Sequence, residues 1–185
     1  NSCNRVLRIR DGSLFTEPSD ASLVEDPSLI IYRATAVADG AFICANGSHA
    51  DIIAGCLRSG KDLSDALAMM TYEPDSPVYT PRIGAVMRDG GYELSIVRRE
   101  DGKALRLLYR YKAECGTGHM IHTYAGNGNP PPSFSSLPVR LDLSGEMIAE
   151  EAWEGLSAEY RVALYLRKGC EERIINGMEV SDGEA

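Results

Sequence analysis

The chain has 185 residues, 44% of them apolar and 25% charged, which fits a single soluble domain with room for a core. Its 19 Lys and Arg against 27 Asp and Glu give a net charge of −8. That argues against a general nucleic-acid binder, which uses a basic face to release counterions, but not against the binding of one small anion by a few Arg and backbone N–H groups. No apolar run approaches the roughly 20 residues of a membrane span, and no secretory leader pattern is visible.

Val6, Leu7 and Ile9 predict a first strand, turned by Asp11-Gly12. The chain opens on Asn1, and the run from Asn1 to Ile9 reads like the middle of a domain, so natural sequence before Asn1 is expected. Residues 13–28 read as polar and irregular. Leu29 to Tyr32 and Ala41 to Cys44 read as buried strands. Ile52, Ile53, Cys56 and Leu57 then recur at helical spacing, with Ser48 placed to cap and Asp51 in the first turn. Gly60 ends that helix. Asp62 and Asp65 form a capping-box pair for the next, whose stripe is Leu63, Ala66, Leu67 and Met70.

Ile83 to Met87 and Tyr92 to Val97 flank Asp89-Gly90-Gly91, a hairpin signal. Further strands are predicted over 104–111, 120–124 and 137–143, with a Gly- and Pro-rich loop over 126–132. Met147, Ile148, Ala152 and Trp153 predict a helix. Ser157 is read as the cap of another, carrying Tyr160, Ala163, Leu164 and Leu166 and ending at Gly169. A last strand is read over 173–175, and the acidic tail 181–185 is expected to be loose. Antiparallel runs of strands with two separate helix groups imply α+β layering, two sheets face to face with helices outside each. The five cysteines (Cys3, Cys44, Cys56, Cys115, Cys170) lack a CxxC and read as free thiols of a reducing compartment.

The densest polar chemistry lies in Met69–Ile83, MMTYEPDSPVYTPRI, where three prolines stiffen a loop carrying Tyr72, Glu73, Asp75, Tyr79 and Arg82. Glu73 follows a predicted helix C-terminus, where partial negative charge would favour a carboxyl suited to base catalysis; a solvated acidic loop is the plainer reading. Asn46-Gly47-Ser48-His49 joins a strand to a helix N-terminus and reads as an anion cradle, as ordinary capping by Ser48, or as both. His119 and His122 form an HxxH, but on a strand that spacing points to opposite faces, and no metal site is expected. The glycines of 126–128 complete no dinucleotide fingerprint. By themselves, Arg5 reads as a surface residue and Tyr32 as core.

Taken in order, Asn4-Arg5, Tyr32, Asn46-Gly47-Ser48-His49, Asp65-Ala66-Leu67, Tyr72-Glu73 and Thr80-Pro81-Arg82-Ile83 resemble the archaeal-type IMP cyclohydrolase family. The segment GTGHMIHTYAGNGNPPPSF resembles a version of that family found in bacteria. The resemblance implies a single domain over 1–185 with a four-layer αββα sandwich like that of the Ntn hydrolases. An N-terminal strand pair ending in Gly-Arg would be missing. It implies closure of 5-formamidoimidazole-4-carboxamide ribonucleotide to IMP with loss of water, the last step of de novo purine biosynthesis. Tyr32, Glu73 and Arg5 would be catalytic. Asn46, Gly47, Ser48, His49, Thr80 and Arg82 would contact substrate or phosphate. No metal, redox or other cofactor is implied, and neither a nucleic-acid polymer nor a membrane is an expected partner. A cytoplasmic homo-oligomer is expected. The alternatives are a non-catalytic purine-nucleotide binder and an Ntn-type amidohydrolase, whose nearest nucleophile would be Cys3.

Overall fold

A computed structural model of the chain describes residues 4–24, 26–143, 145 and 148–178. Among these, every strand pairing is antiparallel and helices are few, so the fold is α+β. The chain forms two compact units, Asn1–Ala34 with Glu146–Ala185, and Thr35–Gly145. Cys3, Met147 and the tail 181–185 lie outside the described residues.

In the first unit, β1 (Val6–Arg10) and β2 (Ser13–Glu17) form a hairpin and β3 (Tyr32–Arg33) extends it. Asp11 and Gly12 close the hairpin at φ 49° and 70°, the double left-handed turn that suits strand twist and favours Asp-Gly. Helix α3 (Ala149–Glu154) lies against a second hairpin, β11 (Ala163–Lys168) and β12 (Glu171–Asn176). The Asn176 amide accepts from Leu7 N at 2.8 Å and donates to Leu7 O, bonding β12 to β1. A small core gathers Leu14, Tyr32 and Ala34 with Leu7, Tyr165 and Ile174.

The second unit is larger. Strands β4 (Thr35–Ala38), β5 (Ala41–Ala45), β6 (Arg82–Arg88), β7 (Gly91–Glu100) and β8 (Lys103–Lys112) form one sheet in that order. Helices α1 (His49–Arg58) and α2 (Leu63–Ala68) cover one face, burying Ile43, Ile53, Leu63, Leu67, Val86 and Val97. At Gly84 the helix comes so close that a Cβ would sit 3.3 Å from Ile53 Cδ1. Strands β9 (Thr117–Met120) and β10 (Val139–Asp142) pair separately.

The capping box of α2 forms as expected: Asp62 Oδ1 accepts from Asp65 N at 2.9 Å, and Asp65 Oδ2 from Asp62 N at 3.0 Å. Elsewhere tertiary pairing overrides the local reading. The predicted irregular stretch after residue 12 contains β2, because the Asp-Gly turn lets Ser13–Glu17 pair with β1 and bury Leu14. Leu29 is no strand residue; Asp26 accepts from Ser28 N and caps a 3₁₀ turn over Pro27–Leu29, leaving Tyr32 to enter β3. Strand β4 went unread, since Thr-Ala-Val-Ala gives a weak signal. The strand predicted over 120–124 lies instead at β9. Ile52 of the predicted stripe faces outward. The largest correction is the helix after Ser157. It stops after one turn, with Tyr160 N and Arg161 N both bonded to Ser157 O. Ala163–Lys168 is strand, and Gly169, at φ 62°, turns a hairpin rather than capping a helix. The alternation of apolar residues with Arg and Glu in 163–176 serves a ladder as well as a helical stripe, and pairing decides.

Candidate active site

The loop between α2 and β6 brings Glu73 and Arg82 together. Arg82 Nη1 and Nη2 meet Glu73 Oε1 and Oε2 at 2.9 Å each, a two-bonded fork with both side chains mostly sheltered. Helix α2 ends at Ala68, too far back for its dipole to act on Glu73, since that effect fades within the last turn. The charge facing Glu73 is the Arg82 guanidinium, which replaces the helix-end account of this residue.

His49 backs the fork. Its Nε2 lies 2.9 Å from the Ile83 carbonyl, which can only accept, so Nε2 carries the proton. Nδ1 then accepts from Arg82 Nη1 at 3.3 Å. Burial lowers the His49 pKa to about 4, the Arg82 charge adds to the shift, and the bond to Ile83 opposes it; the ring is neutral at pH 7. Gly47 completes the wall. A Cβ there would stand 3.0 Å from Glu73 Oε1 and 3.1 Å from His49 Nδ1, so glycine is the residue that leaves the fork intact. Asn46 donates to Pro81 O at 3.0 Å and accepts from Ile83 N at 2.8 Å, fixing the backbone on either side of Arg82. Ser48 starts α1 in helical conformation and makes no side-chain capping bond.

The rest of the loop is tied by Asp75. Its carboxylate accepts from Thr80 N at 2.7 Å and from Thr80 Oγ1, and Glu73 N donates to Thr80 O at 3.0 Å. Thr80 Oγ1 also lies 2.9 Å from the Tyr124 hydroxyl. Tyr79 takes φ 48°, stacks edge-on against Tyr72 and lies under the Arg99 guanidinium at 4.1 Å. His119 and His122 have separate partners. The first bonds the Tyr92 hydroxyl and stacks on Tyr111, and the second bonds the Tyr124 carbonyl.

In the other unit, Arg5 and Tyr32 are neighbours. The Arg5 guanidinium lies 5.9 Å from the centre of the Tyr32 ring and donates to Leu29 O at 2.9 Å. Arg5 Nε is buried and has no hydrogen-bond partner among the described residues. Asn4 is structural: its amide accepts from Ser19 Oγ and Asp20 N and donates to Asp20 O.

Sequence reasoning therefore singled out the members of both clusters but missed the Asp75–Thr80–Tyr124 chain. An Asp followed by a Thr in a Pro-rich loop is an available signal for a side chain closing its own loop. No local pattern could have brought Tyr124 to Thr80, 44 residues away.

The family described as IMP cyclohydrolase-like protein matches residues 1–172. An IMP cyclohydrolase of Methanocella arvoryzae is 33% identical over 153 residues, 80% of this chain and 71% of the relative. One of Methanosphaera stadtmanae is 31% identical over 116 residues, 60% of this chain and 54% of the relative. One of Methanopyrus kandleri is 26% identical over 132 residues, 69% of this chain and 64% of the relative. In these last two alignments the chain spans less than two thirds of the relative's length.

Proposed function

The chain belongs to the IMP cyclohydrolase-like protein family, and on that premise we propose that it closes the second purine ring, converting 5-formamidoimidazole-4-carboxamide ribonucleotide to IMP and water. The carboxamide nitrogen attacks the formyl carbon, a C–N bond forms, and the formyl oxygen leaves as water after taking two protons. An amide nitrogen is a poor nucleophile, so the step needs a proton acceptor, a donor for the developing oxyanion and an enforced conformation.

The observation that carries the reading is the Glu73–Arg82 fork. A carboxylate offers about four lone-pair positions. The fork engages each of its oxygens once and fixes their orientation, and the carboxylate is assigned as the acceptor of the carboxamide proton. Arg82, Asn46 and the neutral His49 keep that carboxylate oriented. Tyr32 is assigned as the donor to the formyl oxygen. Arg5 is assigned as the anchor, its unpartnered Nε supplying an N–H for a substrate oxygen. Thr80 and Asn46 shape the loop with side chains already engaged, while Gly47, Ser48 and His49 form the turn beside the fork.

The same reading includes an Ntn-like αββα arrangement of one domain, a homo-oligomer and a cytoplasmic location. Among the described residues, no helix is long and apolar enough to cross a membrane. The test is absorbance-monitored ring closure of the formylated nucleotide, with calorimetry of IMP alongside. Turnover supports the reading; IMP binding without turnover by folded protein would replace it with the non-catalytic binder.

A further inference from the structure

We propose that Tyr124 is a positioning residue for Glu73, acting through the direction of one hydrogen bond; this deepens the cyclisation reading and rests on it. The Asp75 carboxylate only accepts, so the single hydroxyl proton of Thr80 is committed to it. Thr80 Oγ1 can then only accept from Tyr124, and the 2.9 Å contact between them has one polarity: Tyr124 donates.

Tyr124 is itself held from its backbone. His122 Nδ1 donates to the Tyr124 carbonyl at 2.5 Å, Ala125 N donates to Pro132 O at 2.8 Å, and Phe134 N donates to Thr123 O at 3.0 Å. Tyr124 thus sits on a short arch, paired across to Ser133. Its hydroxyl reaches from that arch to Thr80, whose carbonyl receives the Glu73 N–H and whose chain continues through Pro81 to Arg82. The arch therefore braces both ends of the loop that sets the fork. Among the described residues the hydroxyl makes no other hydrogen bond, so Tyr124→Phe removes the brace and little else.

The test combines two readouts on the intact protein. In Tyr124→Phe, hydrogen exchange at the Glu73 and Thr80 amides should quicken several-fold while α1 and the β6–β7 hairpin keep their protection. Ring closure should lose about tenfold in kcat with KM within about twofold, the pattern of a displaced catalytic group rather than a lost substrate contact. In a Thr80→Val background, Tyr124→Phe should add almost nothing. Unchanged exchange over 72–82 in a folded Tyr124→Phe protein overturns the positioning role. Should that variant not fold, Thr80→Val, which removes the oxygen to which Tyr124 donates, must quicken the Glu73 amide, and unchanged exchange there overturns it equally. The exchange result stands whether or not the wild type turns over, so failure of the cyclisation reading is seen separately in the wild-type assay.

Discussion

Around Glu73 the polar atoms hold one another. Both Arg82 nitrogens that face the carboxylate are spent on it, His49 is fixed in one tautomer, and Gly47 leaves no space for a side chain. Around Arg5 the pattern is looser. One guanidinium nitrogen holds Leu29 O, the aromatic face of Tyr32 is a neighbour, and a buried N–H has no partner among the described residues. An unpaired buried donor costs on the order of 1–3 kcal/mol, more when charged, a cost that a substrate oxygen would offset under the proposed function. The first cluster is closed on itself; under the proposed function, substrate would complete the second.

The largest expected effects break that comparison from the Arg5 side. Tyr32→Phe should lower kcat by something like 10²–10⁴ if its hydroxyl transfers or donates a proton in the rate-limiting step. Arg5→Ala should act mainly on KM, raising it by about tenfold or more with a smaller change in kcat. Steady-state kinetics on both variants checks the division; an unchanged KM for Arg5→Ala would remove that residue from the site.

The second prediction sharpens the preorganised side through pH. His49 is neutral in the fold with a pKa of about 4, against an ordinary value of 6.5. Between those values the unfolded chain binds the extra proton, so folding stability is complete above about 6.5 and is lost as pH falls toward 4. The loss is on the order of 3 kcal/mol. Urea melts of wild type and His49→Gln at pH 7 and pH 4.5 should converge on acidification, because the variant lacks this proton uptake. Parallel curves would mean that His49 is not held neutral.

How far the chain could be read in advance follows the same division. Helix α1 was legible from apolar periodicity, although Ser48 makes no capping bond; α2 from its capping box and stripe; and the β6–β7–β8 meander from its Asp-Gly turns and apolar pattern. Asn46, Gly47, His49, Glu73 and Arg82 were legible as a group through ordered motifs. The fork itself was not, since nothing in the spacing of Glu73 and Arg82 says that the chain doubles back between them through Glu73 N and Thr80 O. The 157–176 region failed for a different reason. Leu164, Leu166 and Ile174 satisfy helical and strand spacing alike, and the partner strand that decides between them begins only after Gly169.

A smaller effect tests the packing of the fork. Gly47→Ala places a methyl 3.0–3.1 Å from Glu73 Oε1 and His49 Nδ1, tighter than those atoms accept without moving. Because both neighbours are side-chain tips, stability should fall by only about 1 kcal/mol while kcat falls about tenfold. A melt with an activity assay on the same preparation separates the two, and a variant at wild-type kcat would show that the carboxylate tolerates displacement.

The most direct measurement is single-turnover ring closure, followed by absorbance, for wild type and Glu73→Gln at matched melting temperature. The account predicts closure by the wild type and a fall of about 10²–10⁴ in the variant, whose amide has the size of the carboxylate but can accept only one of the two Arg82 bonds and cannot take the carboxamide proton as a base. A folded Glu73→Gln protein that closes the ring at the wild-type rate would contradict it.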